Sequence, residues 1–305
     1  MSQFEGVFSV LPTPFTPEGQ LDKQSLEKLI DLFLSAGVNG LTTLGVTSEV
    51  GRLSERERAL VLGTVMAKVD GRAPVVVGTT SDGVMTCIEY SKAASSEGAA
   101  AVMVCPPRMP KPNWEAVVRH FGTLAEAVDI PIIIQDYPQI SGYATDPWLL
   151  ARIAREIPAA RTIKMEDPPT PFKIARTLNE ANDIPLRIFG GLGGVFLLEE
   201  LMVGAIGTMT GFAYPEILVE IVRLFRAGDV DRAADTFYRC VPLMRFEFQD
   251  GVGMAIRKEI LRRRGALAHA TVRPPGTTLD ASTRLALDRL LDWLRKNQSA
   301  PWIPD

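Results

Sequence analysis

The sequence predicts an α/β fold, a (β/α)8 TIM barrel followed by a C-terminal helical extension. Eight short β-branched or apolar runs recur along the chain, spaced by about 20 to 35 residues as βα units require. Stretches of helical periodicity fill the intervals between them. No glycine-rich phosphate turn follows the first run, where Leu11-Pro12-Thr13-Pro14-Phe15-Thr16-Pro17 stands instead. That absence argues against an open doubly wound sheet.

The strand candidates, in order, are residues 6–15, 40–45, 74–80, 100–106, 131–137, 161–166, 186–191 and 205–211. Amphipathic helices are expected over 22–36, 54–69, 82–97 and 113–127. Asp22 and Ser54 read as N-caps, and Ser54-Glu55-Arg56-Glu57 has the form of a capping box. Beyond the eighth run, helices are expected over 216–227, 230–244, 252–264 and 282–296, the last set off by Pro274-Pro275-Gly276. The barrel should occupy residues 1–227, and residues 228–305 should form an extension packed on its outside.

Composition narrows the function classes. The formal net charge of −3 has both signs scattered, with no basic stripe interleaved with aromatics, so nucleic acid is not an expected partner. No apolar run reaches the length of a membrane helix, and Met1-Ser-Gln-Phe-Glu-Gly lacks a charged leader, so a cytoplasmic protein off the membrane is expected. Cys87, Cys105 and Cys240 are widely spaced, as reduced thiols packed like small hydrophobes. His120 and His269 read as surface positions, and no Cys/His cluster suggests a metal.

In such a barrel the active site lies at the C-terminal ends of the strands. In the sixth run Thr162, Lys164 and Glu166 alternate with Ile163 and Met165, so Lys164 should point into the barrel. A lysine there is either paired, with Glu166 or Asp136, or has a lowered pKa that suits attack on a carbonyl. After the second run, the amides and hydroxyls of Gly45-Val46-Thr47-Ser48-Glu49 can hold a carboxylate, or the turn simply leads into the capped helix. Gly190-Gly191-Leu192-Gly193-Gly194 would let backbone approach a ligand closely. No Lys or Arg follows it to support a phosphate site.

Gly6-Val-Phe-Ser-Val-Leu-Pro-Thr-Pro-Phe15, Gly45-Val-Thr-Ser-Glu49, Ile163-Lys164 and Gly204-Ala-Ile-Gly-Thr208 occur in an order that resembles the dihydrodipicolinate synthase/N-acetylneuraminate lyase family over essentially the whole chain. The resemblance implies a Schiff base between a 2-keto acid and Lys164, with no metal or organic cofactor. It implies that Thr47 and neighbouring amides bind the substrate carboxylate and that Met209 lines the pyruvate site. It also implies a homotetramer built as a dimer of dimers.

Departures from the family pattern carry information of their own. Where the family has Tyr-Asn-x-Pro, whose tyrosine relays protons, this chain reads Gln135-Asp136-Tyr137-Pro138. Tyr137 either supplies the phenol from a shifted place or packs. Ile140 occupies the position of the synthases' carboxylate-binding arginine, and Pro106-Pro107-Arg108 replaces their Pro-Tyr-Tyr. Arg108 either binds a substrate carboxylate or serves a subunit contact. Pro131-Ile-Ile-Ile-Gln-Asp-Tyr-Pro138, Arg155-Glu-Ile-Pro158 and Ser48-Glu49 look like the 2-keto-3-deoxy-L-arabonate dehydratase branch.

The implied function is therefore a lyase on pyruvate or a 2-keto-3-deoxy sugar acid, acting as a dehydratase or aldolase. Lys164 would be the nucleophile, and Tyr137, Ser48, Glu49 and Glu166 the candidate proton carriers. Gln135 and Gly191 would contact substrate beside Thr47, Met209 and Arg108. The alternatives are a synthase condensing pyruvate with aspartate semialdehyde and a non-catalytic 2-keto acid binding protein.

Overall fold

Strands β1 (Gly6–Val10), β2 (Gly40–Thr43), β3 (Val75–Gly78), β4 (Ala101–Val104), β5 (Ile132–Asp136), β6 (Thr162–Met165), β7 (Arg187–Phe189) and β8 (Gly207–Thr210) all fall within the expected runs. In the computed structural model, which describes residues 4–297, they pair in parallel in the order β7-β6-β5-β4-β3-β2-β1-β8. Backbone hydrogen bonds from Gly190 to Gly207 and from Met209 to Gly190, each 3.0 Å, bring β7 against β8 and close the barrel. Residues 1–3, where the leader was sought, and residues 298–305, the end of the expected extension, lie outside the described residues.

Strand alternation sorts the side chains into two cores. Phe8, Val76, Met103, Ile133, Phe189 and Met209 point inward and fill the barrel as an apolar plug. Their neighbours, among them Val7, Leu41, Val77, Ile134, Ile163 and Met165, point outward and bury the apolar faces of the helices. β1 is shorter than its run because Pro12 and Pro14 carry no N–H; the last ladder bond is Leu11 N–H to the Thr42 carbonyl, 2.9 Å.

Helices α1 (Lys23–Ser35), α2 (Glu55–Val69), α3 (Val84–Ser96) and α4 (Trp114–Ala127) follow the first four strands. Asp22 caps α1 by accepting from the Ser25 amide at 3.0 Å, and Asn113 caps α4 through the Ala116 amide at 3.1 Å. The Ser54–Glu57 capping box forms as expected. A single-turn α5 (Pro138–Ser141) precedes α6 (Pro147–Glu156), and α7 (Thr170–Glu180), α8 (Leu197–Met202) and α9 (Pro215–Arg226) complete the outer ring. The extension is α10 (Val230–Glu247), α11 (Gly253–Arg263) and α12 (Ala281–Lys296). No helix among the described residues is long and apolar enough to cross a membrane.

Two expectations need correction. His120 is buried, because the apolar stripe of α4 (Val117, Val118, Phe121, Leu124) carries it inward. The extension does more than pack on the outside. α10 lies along α9, but the turn into α11 reaches over the barrel mouth: Phe248 covers Gly193 after β7, and Met254 shares a cavity with Gln135 of β5.

Candidate active site

Lys164 points into the upper barrel as the alternation requires, and its side chain is 5% exposed. Its ammonium lies 2.9 Å from Oε2 of Glu166, two residues on and on the same face. Asp136, the other expected partner, faces outward. It pairs with Lys173 of α7 at 2.5 Å, and burial pushes its carboxyl up to about 6.

The Lys164–Glu166 pair belongs to a chain of contacts. Gln135, on the inner face of β5, donates from Nε2 to Glu166 Oε2 at 2.6 Å. Its Oε1 accepts from the Cys105 thiol at 3.3 Å. Burial, with the Glu166 charge nearby, pushes Cys105 up to about 12, so the thiol stays protonated and fixes which end of the amide faces Glu166. Gly191 provides the space: a Cβ there would lie 2.5 Å from Glu166 Cγ, so the bare backbone admits the carboxylate side chain. Met209, fully buried in register with Phe8, belongs to the apolar plug.

Tyr137 lies just past β5 as the N-cap of α5, and its side chain is half-buried. Desolvation and then the negative charge of Glu166 push its phenol up to about 12, which keeps it protonated and able to donate. Arg108 is exposed and donates through Nε and Nη2 to the Ile140 carbonyl at 3.3 and 3.2 Å, tying the loop after β4 to the end of α5.

After β2 the backbone enters a short 3-10 turn, Val46–Ser48, flanked by two non-glycine residues in left-handed geometry, Leu44 (φ 54°) and Glu49 (φ 57°). The first amides of such a turn have no partner within it. Ser48 is committed to the fold: its hydroxyl donates to the Leu11 carbonyl at 2.7 Å and accepts from the Gly45 amide at 3.3 Å. Glu49 is committed too. Its carboxylate pairs with Lys258 of α11, lies 2.6 Å from Arg52, and accepts from the Arg273 amide at 3.1 Å. Burial pulls Lys258 down to about 8 despite the carboxylate beside it. Thr47, half-buried, immediately precedes these two anchored residues.

A cavity of 520 Å³ opens at this end of the barrel, bordered by Gly45, Val46, Gln135, Ile140, Arg52 and Met254, among others. Gln135 is the side chain that both borders the cavity and bonds to the Lys164–Glu166 pair. No group of three or more His, Cys, Asp or Glu side chains among the described residues could hold a metal ion. The arrangement offers an amine with a carboxylate in proton-transfer range, a neutral phenol, and a turn with amides to spare.

Sequence reasoning missed Cys105, Lys258 and Arg273. Strand parity could have found Cys105, two residues beyond the inward Met103. Nothing in the sequence near Lys258 or Arg273 signals a contact with Glu49.

Comparison with known proteins agrees with this architecture. Residues 3–294 match the model of the dihydrodipicolinate synthetase family. The chain is similar to the L-2-keto-3-deoxyarabonate dehydratase of Azospirillum brasilense, 32% identical over 296 residues and 94% of each chain. It is similar in structure to a dihydrodipicolinate synthase from Rhodopseudomonas palustris (TM-score 0.90, 32% identity, covering 95% of this chain and 97% of that one). A prophage protein of the dihydrodipicolinic acid synthase family from E. coli K12, solved in complex with pyruvate, superposes at TM-score 0.89 with 26% identity, covering 96% of this chain and 99% of that one. With the inward lysine of β6, the turn after β2 and the match over almost the full length all in agreement, the chain belongs to the dihydrodipicolinate synthetase family.

Proposed function

We propose that the chain is a Schiff-base lyase that dehydrates a 2-keto-3-deoxy sugar acid. The observation that carries this reading is the buried Lys164–Glu166–Gln135 constellation. Lys164 must lose a proton before it can attack C2 of the keto acid, and Glu166 Oε2 is within reach to take it. Addition to C2 gives a carbinolamine; Glu166 returns the proton to its hydroxyl, which leaves as water, and the protonated imine that results is an electron sink that makes C3 acidic. A base removes the C3 proton to form the enamine, the enamine electrons expel the C4 hydroxyl, and a proton donor completes its departure as water. Glu166 is suited to the base and Tyr137 to the donor. Hydrolysis of the imine frees Lys164.

The substrate carboxylate would sit on the Thr47 turn, with Met209 below it. In this reading Ser48 and Glu49 shape the turn and move no protons, since their polar atoms are already engaged. Arg108 is held at the rim by the Ile140 carbonyl and would meet the distal end of a substrate or a second subunit. The similarity to the Azospirillum dehydratase favours dehydration over condensation. Ile140, standing where a synthase would need a cation for its aldehyde substrate, favours it too.

Association as a dimer of dimers belongs to the same proposal. Phe172 on α7 and Met202 on the adjoining α8, 59% and 57% exposed, offer apolar surface to a subunit contact. Light scattering would check this, and a monomer at working concentration would contradict it.

The test of the chemistry is intact-protein mass after borohydride reduction with pyruvate. The wild type should gain one reduced adduct and Lys164→Ala none. Turnover of 2-keto-3-deoxy acids should then exceed condensation of pyruvate with aspartate semialdehyde. A wild type that forms no adduct with pyruvate or with longer 2-keto acids would leave a binding protein as the better account.

A further inference from the structure

The buried ion pair between Glu49 and Lys258 joins the turn after β2 to a helix of the C-terminal extension, and its surroundings are unusually complete. Lys258 is fully buried. Besides Glu49 it donates to the carbonyls of Thr13 (2.7 Å) and Thr271 (2.8 Å), so an ammonium with three donors has three acceptors. Its Nζ also lies 4.5 Å from the centroid of the Phe15 ring. Thr13 in turn donates from its hydroxyl to the Ser48 carbonyl at 2.5 Å. Lys258 therefore holds the end of the turn through two contacts, directly through Glu49 and through Thr13 against Ser48.

Arg273, past the end of α11, reinforces the same clasp. Its amide reaches Glu49, and its guanidinium bonds the Arg52 and Gly19 carbonyls and Glu57, which caps α2. The clasped segment is one that would not hold its shape alone. Leu44 and Glu49 bracket it in left-handed geometry, which costs a non-glycine residue energy and persists only where neighbours over-determine it.

We propose that Lys258 is a positioning residue for substrate binding: through Glu49 and Thr13, the C-terminal extension holds the Val46–Ser48 turn in the shape that receives the keto acid carboxylate. This inference rests on the reading that the Thr47 turn binds that carboxylate. It assigns the extension a part in affinity, and it assigns Glu49 to geometry.

The probe is pyruvate, and the readout is the extent of borohydride trapping against pyruvate concentration. Lys258→Met keeps the stem and removes the charge. It should raise the half-saturating pyruvate concentration at least tenfold while the maximal trapping rate stays within about threefold. Leu294→Ala, which opens a cavity under the buried face of α12 away from the clasp, should lower Tm and leave half-saturation unchanged. If Lys258→Met does not fold, Glu49→Gln replaces it, with a rise of at least threefold expected. Half-saturation within twofold of wild type in a folded clasp variant would overturn the inference. So would a maximal rate that falls more than tenfold at unchanged half-saturation, since Glu49 would then act on the reacting atoms. A wild type that forms no adduct overturns the Schiff-base assignment itself, and the inference with it.

Discussion

The molecule contains two buried lysine–glutamate pairs a short distance apart in the fold, and they are built to different specifications. Lys258–Glu49 is saturated: the ammonium has three acceptors, and the carboxylate meets Lys258, Arg52 and the Arg273 amide. Lys164–Glu166 is sparse. The Lys164 ammonium and the Gln135 amide converge on one Glu166 oxygen, Oε2, and no second hydrogen bond to the ammonium is found among the described residues. A saturated pair has nothing left to offer a ligand, and breaking it leaves an uncompensated buried charge. A sparse pair, joined to the cavity through Gln135, keeps donors in reserve for an incoming molecule. How fully a buried pair is satisfied, more than its burial, separates the anchor from the proposed reactive centre.

That contrast is sharpest at Glu166. Glu166→Gln keeps the volume and a hydrogen-bonding oxygen but removes the base beside Lys164. Turnover of the sugar acid should fall by about 10²–10⁴, the usual range for loss of a general acid–base group. Binding of a keto acid that does not turn over should change far less. Steady-state kinetics of turnover, compared with the affinity for such an inhibitor, would check it. Equal losses in both would put Glu166 with the anchors.

Gln135 comes next. Gln135→Leu leaves Glu166 Oε2 without its neutral donor and the Cys105 thiol without its acceptor. A hydrogen bond to a charged group is worth about 1.5–3 kcal/mol, so kcat should drop roughly tenfold to a hundredfold with KM nearly constant. Unchanged kcat would mean that Glu166 holds its place without Gln135.

The pair proposed as reactive was the more legible of the two from sequence. Lys164 and Glu166 lie two residues apart on one strand, and alternation with Ile163 and Met165 forces both inward, so a local pattern sufficed. Gln135 was visible through the same parity once Ile133 was placed in the plug. The clasp was illegible, because Arg273 meets Glu49 across 224 residues and strand or helix periodicity says nothing at that range. Glu49 therefore read as a proton carrier, being a carboxylate beside a polar turn, and its contacts with Lys258 and the Arg273 amide were not foreseen. Gly191 was read as a contact for substrate. A glycine signals close approach, but here the approaching group is Glu166 from the neighbouring strand. His120 read as surface because a single imidazole on an otherwise apolar face says nothing of its depth.

The smallest effect expected lies at the outer edge of the clasp. Hydrogen bonds from the Arg273 guanidinium hold Glu57 down at about 2, well below an ordinary glutamate. A carboxylate with a depressed pKa stabilises the fold above its unfolded value near 4.5, and that stabilisation is lost as pH falls from about 4.5 towards 2. Glu57→Gln keeps the capping box, since glutamine also serves at that position, and removes only the titrating charge. The variant should therefore be less stable than wild type at pH 6–7 by about 1–2 kcal/mol, allowing for solvent screening of a side chain 22% exposed. That corresponds to a few degrees in Tm. The gap should narrow steadily as pH is lowered through 4 and 3, towards closure near 2. Thermal melts of both proteins across that range would check it. A gap that stays constant with pH would mean that Glu57 contributes packing and a cap, with its ion pair to Arg273 adding nothing to the clasp that Lys258 completes from the other side.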